Sequence, residues 1–168
     1  MKKFNFSKLL LASVLVASFV MFSGCKPEAE YVYEQTSVVG DWISTHDEKY
    51  SISYNDYDNY SHYDSSYTYD PENWYLYYST TDIVVRQLSE TSGYIYGKFD
   101  DEDHLGYGAT KGQWYALYYQ DLTDHSVSFG QPYKDGGKGG CDTLSEAINE
   151  FTLENDYYDL SKLSECTK

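Results

Sequence analysis

Basic side chains are scarce in this chain. Its 168 residues hold 12 Lys and Arg against 27 Asp and Glu, a formal charge of −15 with histidine neutral. A charge that negative repels phosphate backbones and anionic headgroups, which removes nucleic acid and polybasic membrane docking from the expected partners. Long apolar runs are also missing: the longest, Leu9 to Phe22, is 14 residues, short of the roughly 20 that a spanning helix needs. No G-x-S-x-G turn marks a serine nucleophile. The histidines His46, His62, His104 and His125 form no i, i+4 pair, and cysteine, at three residues, offers no zinc-ligand spacing. Carboxylate pairs are so abundant that none stands out as catalytic. The expectation is therefore a non-enzymatic protein without a metal or cofactor.

Two acidic segments test that expectation. Asp100-Asp101-Glu102-Asp103-His104 and Asp56-Tyr57-Asp58-Asn59 cluster the oxygens that calcium prefers. Read as an EF-hand loop, the first places Leu105 at the third ligand position and Gly112 at the closing one. The first therefore reads as an exposed turn between strands, and neither segment completes a metal site.

What is present begins at the amino terminus. Lys2, Lys3 and Lys8 precede the uncharged stretch, and small residues follow it, the order of a secretory signal over 1–24. Phe22-Ser23-Gly24-Cys25 resembles the lipobox of bacterial lipoproteins, with Phe22 where leucine is most common. The resemblance implies diacylglycerol transfer to the Cys25 thiol, cleavage before it and further acylation, typically with palmitate. Lys26 rather than aspartate after the cysteine resembles the sorting pattern that favours the outer membrane. Two or three acyl chains hold a protein on a membrane where one does so only reversibly. Cleavage would leave 27 acidic residues against 9 basic, a formal −18.

Residues 25–37 are polar and contain Pro27, the composition of a tether; a single domain is expected over 38–168. Within it, apolar residues alternate or cluster in short runs broken by Gly, Asp, Asn and Ser. The pattern predicts strands at Val39 to Ser44, Tyr50 to Tyr54, Trp74 to Ser79, Ile83 to Leu88, Gly93 to Phe99, Gln113 to Gln120 and His125 to Gly130. Asn55 to Asp70 differs, because Tyr alternates with Asp, Ser, Asn and His and aliphatic residues are absent. It reads as an edge hairpin or an ordered loop, and its Tyr57, Tyr60, Tyr63, Tyr67 and Tyr69 have the composition of a recognition surface.

Helical periodicity is clear once. Leu144, Ala147, Ile148 and Phe151 form one stripe behind the capping-box pair Thr143 and Glu146, predicting a helix over 144–155. With Cys25 assigned to lipid, Cys141 and Cys166 are an even pair in an exported chain and are expected to form a disulfide. Such a bridge would add about 3 kcal/mol by restricting the unfolded chain.

Gly40-Asp41-Trp42 resembles the G-x-W motif of lipocalins, and Thr123-Asp124-His125 resembles their T-D-Y motif. The resemblance implies an antiparallel barrel with Gly40 and Trp42 closing one end. Gln113 to Tyr119, Leu122-Thr123-Asp124, Thr143 to Ala147 and Cys166 are similar to small uncharacterised lipoproteins of spirochaetes, a likeness that implies export but no activity. Short strands must hide their edges, and closure does so most completely. The expected fold is mainly β, a small antiparallel lipocalin-like barrel with a β-sandwich as alternative, carrying one C-terminal helix. Two roles follow. One is a membrane-anchored binder of a small apolar molecule or lipid inside the barrel; the other is an envelope or surface module that contacts a protein through its tyrosine-rich, acidic surface.

Overall fold

The computed structural model describes residues 38–100 and 109–168. The expected signal 1–24, the expected tether 25–37 with Cys25, and residues 101–108, which include most of the first acidic segment, lie outside the described residues.

Eight strands make a closed barrel: β1 (Gly40–Ser44), β2 (Glu48–Ile52), β3 (Asp56–Ser61), β4 (Tyr75–Ser89), β5 (Ser92–Phe99), β6 (Trp114–Gln120), β7 (Ser126–Gly130) and β8 (Ser164–Thr167). Each pairs antiparallel with the next, and β8 returns to β1 through Ile43 opposite Thr167 and Ser44 opposite Cys166. This is the lipocalin-like arrangement rather than a sandwich. It has no free sheet edge, which disposes of the unpaired N–H and C=O groups that an open sheet exposes.

Several boundaries differ from expectation, each for a local reason. The predicted strands at 74–79 and 83–88 are one long β4, because the break between them is a bulge at Thr81/Val84 with Asp82 at φ 55° rather than a turn. Tyr50 to Tyr54 shifts to Glu48–Ile52, since Ser53 already turns the chain by accepting from the Asn55 and Asp56 amides. The first half of the tyrosine-rich segment is the full strand β3, with Tyr57 and Asn59 inward and Asp56 and Asp58 on the other face. Opposite faces also prevent Asp56, Asp58 and Asn59 from converging on one ion. The short β8 has no apolar pattern and was not anticipated.

Alternation fills the barrel with rings. Trp42, Tyr50, Tyr57, Tyr78, Phe99, Tyr115, Tyr119 and Phe129 all lie in the interior cluster, and none is more than 4% exposed. They meet edge to face or tilted: Tyr57 on Tyr78 at 5.9 Å, Tyr78 on Tyr115 at 5.7 Å, Phe99 on Tyr115 at 4.8 Å and Tyr50 on Phe129 at 4.7 Å. Such pairs contribute roughly 0.5–1.5 kcal/mol each beyond the area they bury. Space for them requires a glycine on the facing strand: a Cβ at Gly97 would stand 2.6 Å from Thr80 Oγ1 and 3.1 Å from the Tyr57 ring.

Strand β6 is buried on both faces. Tyr115, Leu117 and Tyr119 point inward, while Trp114, Ala116 and Tyr118 join Tyr94 and Tyr96 in an outer layer covered by the helix α1 (Leu144–Glu150) and by Phe151, Tyr157 and Tyr158. Thr143 caps α1 as expected, its hydroxyl accepting from the Glu146 amide. The helix is shorter than the predicted 144–155. Asn155 folds back and donates to the carbonyls of Asn149 and Glu150 at 2.7 and 3.0 Å, taking the place of another turn.

The two cysteines are free, which corrects the expected bridge. Cys166 points into the interior from β8, and Cys141 belongs to the outer layer, bonded through its backbone to Trp114. They lie in different cores, so an even count did not bring them together. Burial pushes Cys141 up to about 11 and Cys166 up to about 12. Both remain protonated, poorly nucleophilic thiols at neutral pH.

Burial also raises Tyr50, Tyr57 and Tyr78 well above the ordinary phenol value, and Tyr119 to about 12. An acid whose folded pKa is raised contributes its stability below the unfolded value, about 10 for tyrosine, and loses it as pH rises. The barrel is expected to unfold cooperatively in alkali. In a titration followed by tyrosinate absorbance and far-UV circular dichroism, the last-ionising phenols should appear together with loss of the sheet signal. Ionisation of every tyrosine with the sheet signal intact would contradict this.

Candidate functional site

The residues implied by the lipocalin resemblance meet at one seam of the barrel. Trp42 lies inside it and donates its indole N–H to the Val38 carbonyl at 2.7 Å, while the Lys168 ammonium stands 4.3 Å from its ring centroid. Gly40 has φ 140°, and a Cβ there would lie 2.9 Å from Lys168 Cε. Val38 ahead of β1 and Lys168 after β8 are thus gathered on one tryptophan. Thr123 accepts from the His125 and Ser126 amides and shapes the tight turn before β7. This seam is architecture.

Among the described residues no chamber accompanies it. A cavity of ligand size would expose the side chains that wall it, whereas the interior rings are sealed. Two grooves among the described residues lie open to solvent: one of about 370 Å³ at Gln87–Glu90 and one of about 320 Å³ between β7 and β8 beside Glu165 and Thr167. Neither is lined by aromatic residues.

The aromatic surface lies elsewhere, on the hairpin that joins β3 to β4 over 61–75. Of its five predicted tyrosines, Tyr57 is corrected: it is fully buried and belongs to the interior. The other four stay outside. Tyr60 is partly covered by Lys49, whose ammonium lies 4.3 Å from that ring and 5.9 Å from Trp74. Trp74 stacks on His62 at 3.7 Å and 29°; His62 meets Tyr69 edge-on at 6.0 Å; Tyr69 and Tyr63 face one another at 5.2 Å across an isolated antiparallel bridge. One ring thus leads to the next from the barrel wall to the hairpin end. Tyr63 and Tyr69 are nearly half exposed and Tyr67, at the tip, is 88% exposed.

Short polar side chains hold this hairpin still. Asp64 Oδ1 accepts from the Ser66 and Thr68 amides, each at 2.8 Å, and the Asp64 backbone bonds both Thr68 and Tyr67. Asp70 accepts from the Glu72 amide, Asn73 Nδ2 and the Tyr75 hydroxyl. The Asn73 amide, followed by the Glu72 N–H, holds its carboxyl below the usual carboxylate range. His62 Nδ1 faces the carbonyls of Asp70 and Asn73 at 3.1 and 2.8 Å, so that nitrogen carries the hydrogen and donates. A hydroxyl–carboxylate bond from Tyr69 to Asp47, at 3.4 Å, ties the hairpin to the β1–β2 turn.

Tyr67 sits at φ 59°, a left-handed conformation that glycine takes without penalty and a bulky residue does not. The cost is of order 1–2 kcal/mol. No interior contact offsets it, because the ring is in solvent. Its placement follows from the Asp64-centred loop. Composition made the tyrosines visible as a candidate surface, but the contributions of His62, Trp74 and Lys49 depend on the β2–β3–β4 register and could not be read from spacing.

No protein family, curated protein or solved structure matches this chain.

Asp64→Ala should leave the barrel folded and loosen the hairpin tip. The two lost amide bonds are worth roughly 1 kcal/mol each. Hydrogen exchange should accelerate at Ser66 and Thr68 while the β5 and β6 amides keep their protection; unchanged exchange at the tip would show that Asp64 does not order it.

Proposed function

We propose that this protein is a lipid-anchored interaction module of the cell envelope, held at a membrane, by resemblance the outer one, through Cys25, and contacting a protein partner through the 61–75 hairpin. The carrying observation is the ordered, exposed ring cluster of Tyr63, Tyr67 and Tyr69 on a barrel whose interior is full. Tyrosine supplies large contact area with few rotatable bonds, and an ordered loop loses little further entropy on binding. The same filled interior weighs against a small apolar ligand or lipid inside the barrel. The acyl anchor confines encounters to a membrane surface, where a weak contact is sufficient at high local concentration. No catalytic step is assigned to any residue.

A photo-crosslinking residue tests this reading in intact cells. Placed at Tyr67 or Tyr63, it should yield the same adduct, identified by mass spectrometry as one envelope protein. At Tyr133, which is exposed but outside the hairpin, it should not. Equal adducts from all three positions, or none from the hairpin, would sink the proposal.

A further inference from the structure

Charge on the hairpin is of one sign. Between Lys49 and Arg86 there is not one lysine or arginine, while Asp56, Asp58, Asp64, Asp70, Glu72 and Asp82 all fall in that interval. The rings therefore lie among carboxylates on a chain already at −15.

The cluster also shows which chemistry suits it, because it holds one cation of its own. Lys49 places its ammonium 4.3 Å from the Tyr60 centroid and within 5.9 Å of Trp74. The stretch from 50 to 85 supplies no second cation for the rings beyond. Tyr63 and Tyr69 lie further along the same run of rings, and Tyr67 presents its ring to solvent. An ammonium or guanidinium is drawn to the face of an aromatic ring, and more strongly where nearby carboxylates add their field.

We infer that the hairpin's partner presents a cationic segment, a protein stretch bearing Arg or Lys side chains that settle on Tyr63, Tyr67 and Tyr69 beside Asp64 and Asp70. This rests on the interaction reading above and adds the partner's chemistry to it. Arginine fits best, since its planar guanidinium can stack on a ring and bond a carboxylate at once. Lys49 would remain in place on the wall side, so the incoming cations are expected at the tip end of the cluster.

The test is selection of displayed random peptides on the full chain in detergent, followed by affinity measurements on selected sequences. Peptides enriched in Arg and Lys are expected. Their Kd should rise by roughly tenfold or more in the Tyr63→Ala/Tyr67→Ala/Tyr69→Ala variant, as for loss of central aromatic contacts, should stay unchanged in Tyr133→Ala, and should rise with salt. All three hairpin tyrosines are exposed, so the triple variant keeps its core. Cationic peptides that bind the triple variant equally well would reduce the effect to bulk charge and overturn the inference. Neutral or acidic peptides that need the three tyrosines would overturn it while leaving the interaction reading intact. No selected peptide, or binding confined to glycans on an array, would overturn both.

Discussion

Closing eight short strands into a barrel creates an interior just wide enough either to be filled by side chains or to hold one small ligand. In this protein the choice falls to filling. Eight rings take the central space, with Gly97 yielding room for Tyr57 and Thr80 beside it. Other features depend on that packing. The barrel closes through only two residue pairs between β1 and β8, so the seam relies on Trp42, gripped by Val38 on one side and approached by Lys168 on the other. The outer layer under α1 then covers the second face of β5 and β6, which leaves the acidic remainder of the barrel wall to water.

A filled core leaves the outside of the barrel as the surface open to contact. Most tyrosines of the barrel proper are committed to packing, whereas those beyond the β3 bulge continue past the end of the sheet into a hairpin with no core to enter. There, aspartates replace apolar contacts as the ordering force. Asp64 and Asp70 accept bonds from backbone amides and shape the loop that carries the exposed rings. The stability of the barrel and the display of the hairpin are thus carried by different chemistry, rings in the one and carboxylates in the other.

The strands β5, β6 and β7 were legible as short apolar runs bounded by turn residues, but in β6, buried on both faces, the inward face was not. Strand β3 was not legible. Tyrosine serves equally well in a dry core and on a wet surface, and Tyr57 and Tyr67 differ only in what faces them: Thr80 on β4 for one, solvent for the other. Likewise Thr143 announced the start of α1 by a short-range pattern, while its end depended on Asn155 reaching back over a turn. The cysteine pair failed for a third reason. Parity says how many partners exist, and strand alternation, which sent Cys166 inward, decides whether they meet. Of the candidate surface, the tyrosines were visible in composition; the stack of Trp74 on His62 and the seat of Lys49 required the register.

The central claim is that the barrel interior belongs to the protein's own rings. Native mass spectrometry of the full chain, purified from the cells that make it, tests this most directly. The mass of the chain should be the same before and after unfolding. A stoichiometric small molecule that accompanies the folded chain and departs on unfolding would contradict the account.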